Sequence, residues 1–558
     1  MQIWNKIKEM IKKMVGGKSV EQALKVAPLI SNKMADAIEL WSDMYEGNAP
    51  WIHEPDYKDP TKITSLGLPA FIASEKARMA VLEMKSEITT PVEEVEVPNP
   101  NYNNTNPLAL FSLEPETIMQ EQPIGDTTRA EYLNKQYKKV LDKIRTQLEY
   151  GIAKGGLVIK PYVVKNTVIE NGVEVEKCEI EFDFVQADGF FPLAFDGSGR
   201  VTDAAFIQPK VDKDTIYRRL ERHTLNGNTI TVQNKAFKST NTRLDMDANG
   251  NSDLGQEVPL TSIPEWKDLE PTATIKNVDR LMFGYFKMPE ANTVDTHSPL
   301  GVSGYSRAVN LIKEADMQYS RLLWEFEAGE MAIDIDRDAL EFIENPDNPQ
   351  SERSVITHLQ KRLFRKVDLG ESNTYQPYAP PLRDISLING LNNILMRIED
   401  VCALSRGTIA DVAAEARTAT ELKILKQRSY SANAEIQKEL ERTLKDVVYI
   451  MNTYCTLYNA ASDMQYDTMG NPINVEGIGQ YEVSFEWDDS IIVDVNEELN
   501  KRLQLMQQGI DSKVEVRMWY HGETEQQAME ALAKVEQENQ KAMQQNMMMQ
   551  QSMFGGEV

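Results

Sequence analysis

Cysteine, histidine and long apolar runs are all scarce in this sequence of 558 residues. Its three cysteines, Cys178, Cys402 and Cys455, lie far apart and form no C-x-x-C pair, which argues against a disulfide scaffold and a zinc finger. Isolated cysteines fit a reducing compartment. No run of about 18 apolar residues occurs, and the N-terminus lacks the apolar core of a secretory signal. We therefore expect neither a transmembrane helix nor secretion.

Positive charge is also in deficit. The chain has 60 Lys and Arg residues against 86 Asp and Glu residues, so its net charge is −26 at pH 7. This balance argues against an ordinary nucleic-acid-binding protein, which grips phosphates with a basic surface. A hydrophobic share of 41% still predicts a folded core. The length suggests about three or four modules.

Recognisable catalytic motifs are missing as well. The sequence contains no H-E-x-x-H, no G-x-S-x-G and no H-x-E with C-x-x-C. Gly17-Lys18-Ser19 ends like a phosphate-binding loop, but the first glycine of that motif and its preceding strand are absent. These absences predict that the chain is not an enzyme and needs no cofactor.

Two acidic patterns raise the question of a metal site. The first resembles the opening of a calcium-binding loop, with oxygen-bearing side chains at Asp245, Asp247, Asn249 and Asp253. Its twelfth position is Gln256 instead of a bidentate carboxylate, so a polar hairpin loop is the favoured alternative. The second pattern is the alternation of Asp334, Asp336 and Asp338. On a strand these would share one face, which we interpret as a solvated acidic face instead of a metal site.

The spacing of apolar residues divides the chain into helical and β-rich parts. Helical spacing occurs at 1–15, 20–46, 69–90, 128–153, 303–328, 384–404, 418–458, 495–508 and 523–540. Short alternating runs between turn signals predict a mixed or mainly antiparallel β region over 157–289. Residues 91–127 predict a long loop, and the Met- and Gln-rich 541–558 predict a disordered tail. The basic first helix could lie on a membrane surface, but docking on protein is favoured.

The longest predicted helix, 418–458, has a sharply defined start. Thr418 and Glu421 form a capping box, in which Thr418 is the N-cap and Glu421 bonds back to its N–H group. The helix would span about 60 Å. Before it lies a short loop, 405–417, whose small residues permit close approach and movement. The charged residues of this loop balance each other, and they are Arg406, Asp411, Glu415 and Arg417.

The densest basic run of this acidic chain is KRLFRK at 361–366. Its charged members are Lys361, Arg362, Arg365 and Lys366. Two interpretations stay open, namely a solvated strand or helix face and a contact surface for an acidic partner or nucleic acid.

Six segments, in this order along the chain, resemble the portal proteins of tailed bacteriophages. The resemblance is to the branch found in long-tailed phages (siphophages) of Gram-positive bacteria. The segments are IELWSDMYEGNAPW at 38–51, SEKARMAVLEM at 74–84, GGLVIKPYV at 155–163, SPLGVSGYSRAVNLIKEADMQYSRLLWEF at 298–326, RTATEL at 417–422, and a strand with two helices at 481–540. Together they extend over about nine-tenths of the chain.

This resemblance implies an α+β portal fold that forms a ring. It implies a wing at 1–300 (a helical N-terminal part and the β-rich 157–289), a stem helix at 303–328, a clip at 330–383, a second stem helix at 384–404, a tunnel loop at 405–417, a spine helix with a wing-completing strand at 418–494, and crown helices at 495–540. It also places Arg406, Asp411, Glu415 and Arg417 beside the passing DNA, and Lys361, Arg362, Arg365 and Lys366 where a motor or neck protein docks.

The implied function is that of a head–tail connector. Twelve copies would form a ring at one capsid vertex, nucleate procapsid assembly, and pass double-stranded viral DNA during packaging and ejection. The implied partners are the terminase large subunit, head-completion or adaptor proteins, and the major capsid and scaffolding proteins. The implied location is the virion, with assembly in the host cytoplasm. Two other classes stay open, a metal-dependent phage hydrolase or nuclease and a monomeric scaffold or adhesion protein.

Overall fold

A computed structural model of the chain shows an α+β protein. The structure describes residues 18–53, 63–82, 84–98, 117–124, 127–170, 173–212, 215–239, 253–267, 269–336, 342–345, 348–354, 363–367, 375–411, 419–458, 480–487, 495–508, 511–523, 527–529 and 531–535. Two compact units share the chain. The first comprises residues 1–82 and 86–485, and the second comprises residues 83–85 and 486–558.

The N-terminal part has a group of helices, then a group of strands, then a long helix. In chain order these elements are β1 (Lys18–Ser19), α1 (Val20–Leu24), α2 (Asn32–Tyr45), α3 (Pro50–His53), α4 (Leu68–Val81), β2 (Met84–Thr89), β3 (Val92–Pro98), β4 (Thr117–Pro123) and α5 (Thr128–Lys154). The prediction of one helix over 20–46 is wrong. Lys25 has a positive φ of 58°, and Pro28 cannot continue a helix, so the segment divides into α1 and α2.

Two further local predictions are wrong. The helix predicted over 69–90 ends at Val81, and its remainder forms β2, which pairs with the distant strand Glu482–Trp487. The loop predicted over 91–127 contains the hairpin β3–β4, paired from Val92 with Pro123 to Pro98 with Thr117. The alternation of valine and glutamate in β3 is a strand signal, but the surrounding proline and asparagine residues masked it.

The β-rich region is confirmed as antiparallel. Its strands are β5 (Gly156–Glu170), β6 (Val173–Gln186), β7 (Phe190–Phe195), β8 (Val201–Asp212), β9 (Thr215–Asn226), β10 (Thr229–Lys238), β11 (Asp253–Val258), β12 (Thr272–Lys276) and β13 (Gly284–Lys287). One sheet has the order β1-β11-β10-β9-β8-β7, with β12 also on β10, and a second has the order β13-β5-β6. The β9–β10 turn is Gly227-Asn228, between the paired residues Asn226 and Thr229, and Gly227 has a φ of 60°.

The remaining elements of the first unit belong to its helical part and to an insert. They are α6 (Val309–Ala328), β14 (Ala332–Asp336), β15 (Phe342–Asn345), β16 (Asn348–Ser354), β17 (Phe364–Val367), β18 (Tyr375–Tyr378), α7 (Asp384–Val401), α8 (Ala419–Tyr458) and β19 (Glu482–Trp487). In the insert, β14 pairs in parallel with β17 and antiparallel with β18. The three long helices confirm the helical spacing seen in the sequence.

An apolar core joins the sheets to α8. Phe190, Phe206 and Phe283 are buried together, and Ile450 of α8 packs in the same cluster. From Ile436 to Met451 the buried side chains of α8 recur at helical spacing, as its sequence predicts. The C-terminal half of this 40-residue helix is therefore fixed in the core.

A charged cluster is buried beside this core. Glu221 on β9 lies 3.0 Å from the ammonium of Lys160 on β5, 2.7 Å from Arg219 and 2.6 Å from His223. Burial alone would raise the pKa of Glu221, but Lys160, His223 and Arg219 hold it well below its usual range. The cluster therefore links β5 to β9 through charge-assisted hydrogen bonds.

The second unit contains the helices α9 (Val495–Gln507) and α10 (Lys513–His521). The sequence predicts α9 correctly but misses α10. A capping box starts α10, since Ser512 accepts a hydrogen bond from the Glu515 N–H and Glu515 accepts one from the Ser512 N–H. Arg502 lies over the Trp519 ring at 4.7 Å, which joins the two helices. The described part of the predicted helix 523–540 is helical at 527–529 and 531–535.

Candidate functional site

Four of the six quoted segments meet at the start of α6. The Tyr305 hydroxyl donates a 2.7 Å hydrogen bond to the Trp41 carbonyl, and the buried Lys76 ammonium donates a 2.9 Å bond to the Gly304 carbonyl. Gly155 and Gly301 pack so closely that an added Cβ on Gly301 would lie 2.1 Å from the Gly155 carbonyl oxygen. Segments that are far apart in sequence therefore build one rigid base for α6.

Asp316 of α6 carries the second set of contacts at this base. Its carboxylate is 2% exposed and accepts hydrogen bonds from the Trp51 indole N–H at 3.0 Å and the Leu66 N–H at 2.8 Å. Among the described residues, no cation forms an ion pair with it. Burial therefore raises the pKa of Asp316, while the hydrogen bonds lower it by a smaller amount.

We expect the Asp316→Asn variant to reveal this raised pKa. A raised folded-state pKa adds stability at pH values below the unfolded-state pKa, and this gain is lost as the pH rises through the folded-state pKa. The stability of the wild type relative to Asp316→Asn should therefore increase as the pH is lowered from 7 towards 4. Urea denaturation of both chains at several pH values measures the difference between their free energies of unfolding. The contributions of the other carboxyl groups are common to both chains and cancel in this difference. A difference that does not change with pH would contradict it.

Helices α6 and α7 form an antiparallel hairpin, and the insert connects their ends. Arg383, just before α7, donates two hydrogen bonds to the Glu325 carboxylate of α6, at 3.1 and 2.7 Å. Farther along, Gly390 lies beside Gln318. These pairs fix the relative position of the two helices. Helix α7 has 18 residues and therefore spans about 27 Å, at 1.5 Å per residue.

The hairpin is apolar on sides that the chain itself leaves uncovered. In α7 only Ile398 and Glu399 are buried, while Ile385 is 70% exposed. The other large apolar side chains that α6, α7 and the residues next to them expose are Leu323, Trp324, Phe326, Met331, Leu382, Ile388 and Val401. We call this set, with Ile385, the hairpin apolar surface. The apolar side chains of these two helices are thus only partly covered within the chain. Where such side chains adjoin, the exposed apolar patch that they form is typical of a protein–protein interface.

The loop after α7 is folded back on the helix by one buried carboxylate. Glu399 is fully buried and accepts hydrogen bonds from the N–H groups of Gly407, Ile409 and Ala410, at 3.1, 2.6 and 2.9 Å. The Asn392 side chain exchanges two hydrogen bonds with the Asp411 backbone, at 2.7 and 2.8 Å. Residues 407–411 are therefore held in one conformation, whereas small residues there had suggested movement.

The structure locates two of the four charged residues predicted in this loop. Arg406 bonds the Asp400 carboxylate, at 2.5 and 3.2 Å, and Asp411 binds Asn392 through its backbone. Glu415, Arg417 and the predicted N-cap Thr418 lie outside the described residues, and only the backbone of Glu421 is described. Helix α8 is described from Ala419 onward. The capping-box motif that would start it stays a prediction.

In the basic run, Arg365 is already occupied within the chain. Its guanidinium binds Asp334 at 2.8 and 3.1 Å and lies over the Tyr378 ring at 4.6 Å. This contact joins β17, β14 and β18. Lys361 and Arg362 lie outside the described residues, and only the backbone of Lys366 is described, in β17. Docking through this run therefore stays a prediction.

No metal site emerges from the described part of the chain, where no group of three or more His, Cys, Asp or Glu side chains is placed to hold an ion. Asp245, Asp247 and Asn249 lie outside that part, and Asp253 begins β11. Of the described helices, none is both long and apolar enough to cross a membrane.

Sequence reasoning missed Glu399 and Asp316, although both leave a recognisable trace. Glu399 continues the spacing of Leu391 and Leu395, and Asp316 follows Ile312 by four residues. Each is thus an acidic residue within an apolar helical stripe. Such a position indicates a buried carboxylate that needs donors from elsewhere in the chain.

Comparison with models of known protein families finds no match, and a search of curated protein sequences finds no similar protein.

Proposed function

We propose that this chain is a portal protein, a structural subunit of a ring through which double-stranded viral DNA passes. The observation that carries the proposal is the α6–α7 hairpin with its exposed hairpin apolar surface. A single chain leaves this surface in water, whereas neighbouring copies would cover it. A closed ring is the natural product of a head-to-tail interface whose rotation closes.

The succession of elements supports the same proposal. Among the described residues, a hairpin of two helices, a loop folded back on the second helix and a helix of 40 residues follow one another in this order along the chain. In the proposed ring, the hairpin forms the wall of the channel and the loop 405–417 lines its narrowest part. The insert between the helices forms the clip, which docks the terminase large subunit and later the head-completion proteins. Capsid and scaffolding proteins contact the ring in the procapsid, so the chain belongs to the virion after assembly in the host cytoplasm.

The charge of the chain suits a conduit. DNA carries one negative charge per about 1.7 Å of its axis, and an acidic wall grips it poorly. At −26 per chain, a ring of about twelve copies would carry roughly −310 charges. The chain would therefore let its cargo slide, and the energy for translocation would come from a separate motor.

Native mass spectrometry, with negative-stain images of the same sample, tests the proposal. We expect a ring near twelve subunits with a central hole, either alone or in the presence of the scaffolding and capsid proteins. A chain that stays monomeric even with these partners would contradict the proposal and favour a monomeric adhesion or scaffold protein. Metal-dependent turnover of a nucleic acid would favour the hydrolase instead.

A further inference from the structure

A cleft of about 60 Å³ lies between the β7–β8 hairpin, β13 with the loop before it, and helix α8. Its charged lining residues are Arg200, Arg280, Lys287, Arg442, Glu439 and Asp446. Because one water molecule needs roughly 10–15 Å³ of such space, the cleft has room for an anion of a few heavy atoms. With Asp279, which pairs with Arg280, three carboxylates face four cations, so the site keeps a net positive charge in an acidic chain.

Two of the four cations are already neutralised. Arg280 lies 3.0 Å from Asp279 and 2.7 Å from Asp446, and its guanidinium lies over the Tyr449 ring at 4.2 Å. Arg442 lies 3.3 Å from Glu439. Neither Arg280 nor Arg442 therefore needs a further counter-ion.

The other two cations, Arg200 and Lys287, have no such partner. Among the described residues, no acceptor or carboxylate binds the Arg200 guanidinium or the Lys287 ammonium at hydrogen-bond or ion-pair distance. Asp196 and Glu439 act on them only at longer range. Lys287 is half-buried, and burial lowers its pKa because the charged ammonium loses water. An anion that enters the cleft would therefore stabilise the charged form of Lys287, which has lost part of its hydration.

We propose that this cleft binds a single oxyanion, a carboxylate or a phosphate group, between Arg200 and Lys287. Both groups present oxygen atoms that accept charge-assisted hydrogen bonds. A free phosphate ion is one source of such an oxyanion. The other is a carboxylate of a second copy, since the chain carries 86 Asp and Glu residues. The proposed site does not depend on the portal function, although a ring would bring a second copy close.

Isothermal titration of the full-length chain with inorganic phosphate, at constant ionic strength adjusted with chloride, tests the site. The wild type should show saturable binding of one phosphate per chain. Lys287→Met should weaken this binding about tenfold or more, because a charged hydrogen bond is lost, and Arg200→Ala should weaken it similarly. Lys287→Arg should retain binding. The matched control is Lys438→Met, which removes an exposed lysine on helix α8, the helix that lines the cleft, at a position outside the cleft.

Two results would overturn the proposal, namely no saturable phosphate binding by the wild type, or equal binding by the wild type and the folded Lys287→Met variant. Two further results would support it and identify the source of the anion. If the dispersed chain binds phosphate but the assembled form does not, a carboxylate of a neighbouring copy occupies the cleft. If both forms bind phosphate, the free ion is the ligand. If the chain never assembles, the phosphate titration of the wild type and its variants still tests the proposed site.

Discussion

Replacing Glu399 by alanine should release the loop after α7 and destabilise the first unit by about 3 kcal/mol. The N–H groups of Gly407, Ile409 and Ala410 donate hydrogen bonds to this carboxylate, and all three would lose their acceptor together. Water can replace it at the exposed Gly407, but less readily at the buried Ala410. Urea denaturation measures the global effect. Faster hydrogen exchange of the Ile409 and Ala410 amides would show that the loop itself opens.

Two matched variants separate this role from a general loss of charge. Glu399→Gln keeps the Oε1 oxygen, which accepts from Ile409 and Ala410, so it should cost about 1 kcal/mol. Arg406→Ala removes only the partly exposed pair with Asp400, worth at most about 1 kcal/mol. If the chain has the proposed portal function, Glu399→Ala should form rings but package little DNA. Equal hydrogen-exchange rates of these amides in Glu399→Ala and the wild type would disprove that Glu399 holds the loop on α7.

Replacing Ile385 by glutamate should abolish the proposed assembly without unfolding the chain. Ile385 is 70% exposed in one copy, and burying such a side chain in an interface contributes about 1.5–3 kcal/mol. At every interface of the proposed ring, a glutamate there would forgo this free energy and would also have to lose its hydration shell. Within one chain, the stability should change by no more than about 0.5 kcal/mol, as for other exposed positions.

Analytical ultracentrifugation would report the assembly, and urea denaturation the stability of the chain. Val211→Glu is the matched control, because Val211 is an apolar side chain on β8, 49% exposed and outside the hairpin apolar surface. It should assemble like the wild type. Rings that form equally well with Ile385→Glu would mean that another surface holds the copies together, and the proposed role of the hairpin would have to be abandoned.

The sequence predicts an element of this fold well when its pattern is local, and poorly when its pairing partner lies far away along the chain. Helices α6, α7 and α8 and the β region are predicted because their apolar periodicity is local and strong. The sequence predicts helix where strand β2 forms, because the partner strand β19 lies about 400 residues away along the chain, as the bond from the Ser86 hydroxyl to the Ser484 carbonyl shows. No local pattern can report such a pairing.

The candidate site shows the same limit. An apolar stripe on α7 is legible in the sequence, but its exposure is not, because exposure depends on what the rest of the chain covers. Ile385 and Ile388 belong to the predicted apolar stripe together with Ile398, yet only Ile398 is buried. The role of Glu399 likewise arises only when the loop turns back to present its N–H groups.

Helix α8 also has a mechanical consequence. Its part from Ser429 onward is packed against the rest of the chain, while its first residue, Ala419, is almost three turns away. A straight helix over that distance is a lever arm of about 15 Å. A tilt of about 5° in the packed part would move the tip by about 1.3 Å, roughly a quarter of the spacing of neighbouring strands. Small repacking around Phe283 and Ile450 would thus be amplified into a displacement at the end of the loop that precedes α8.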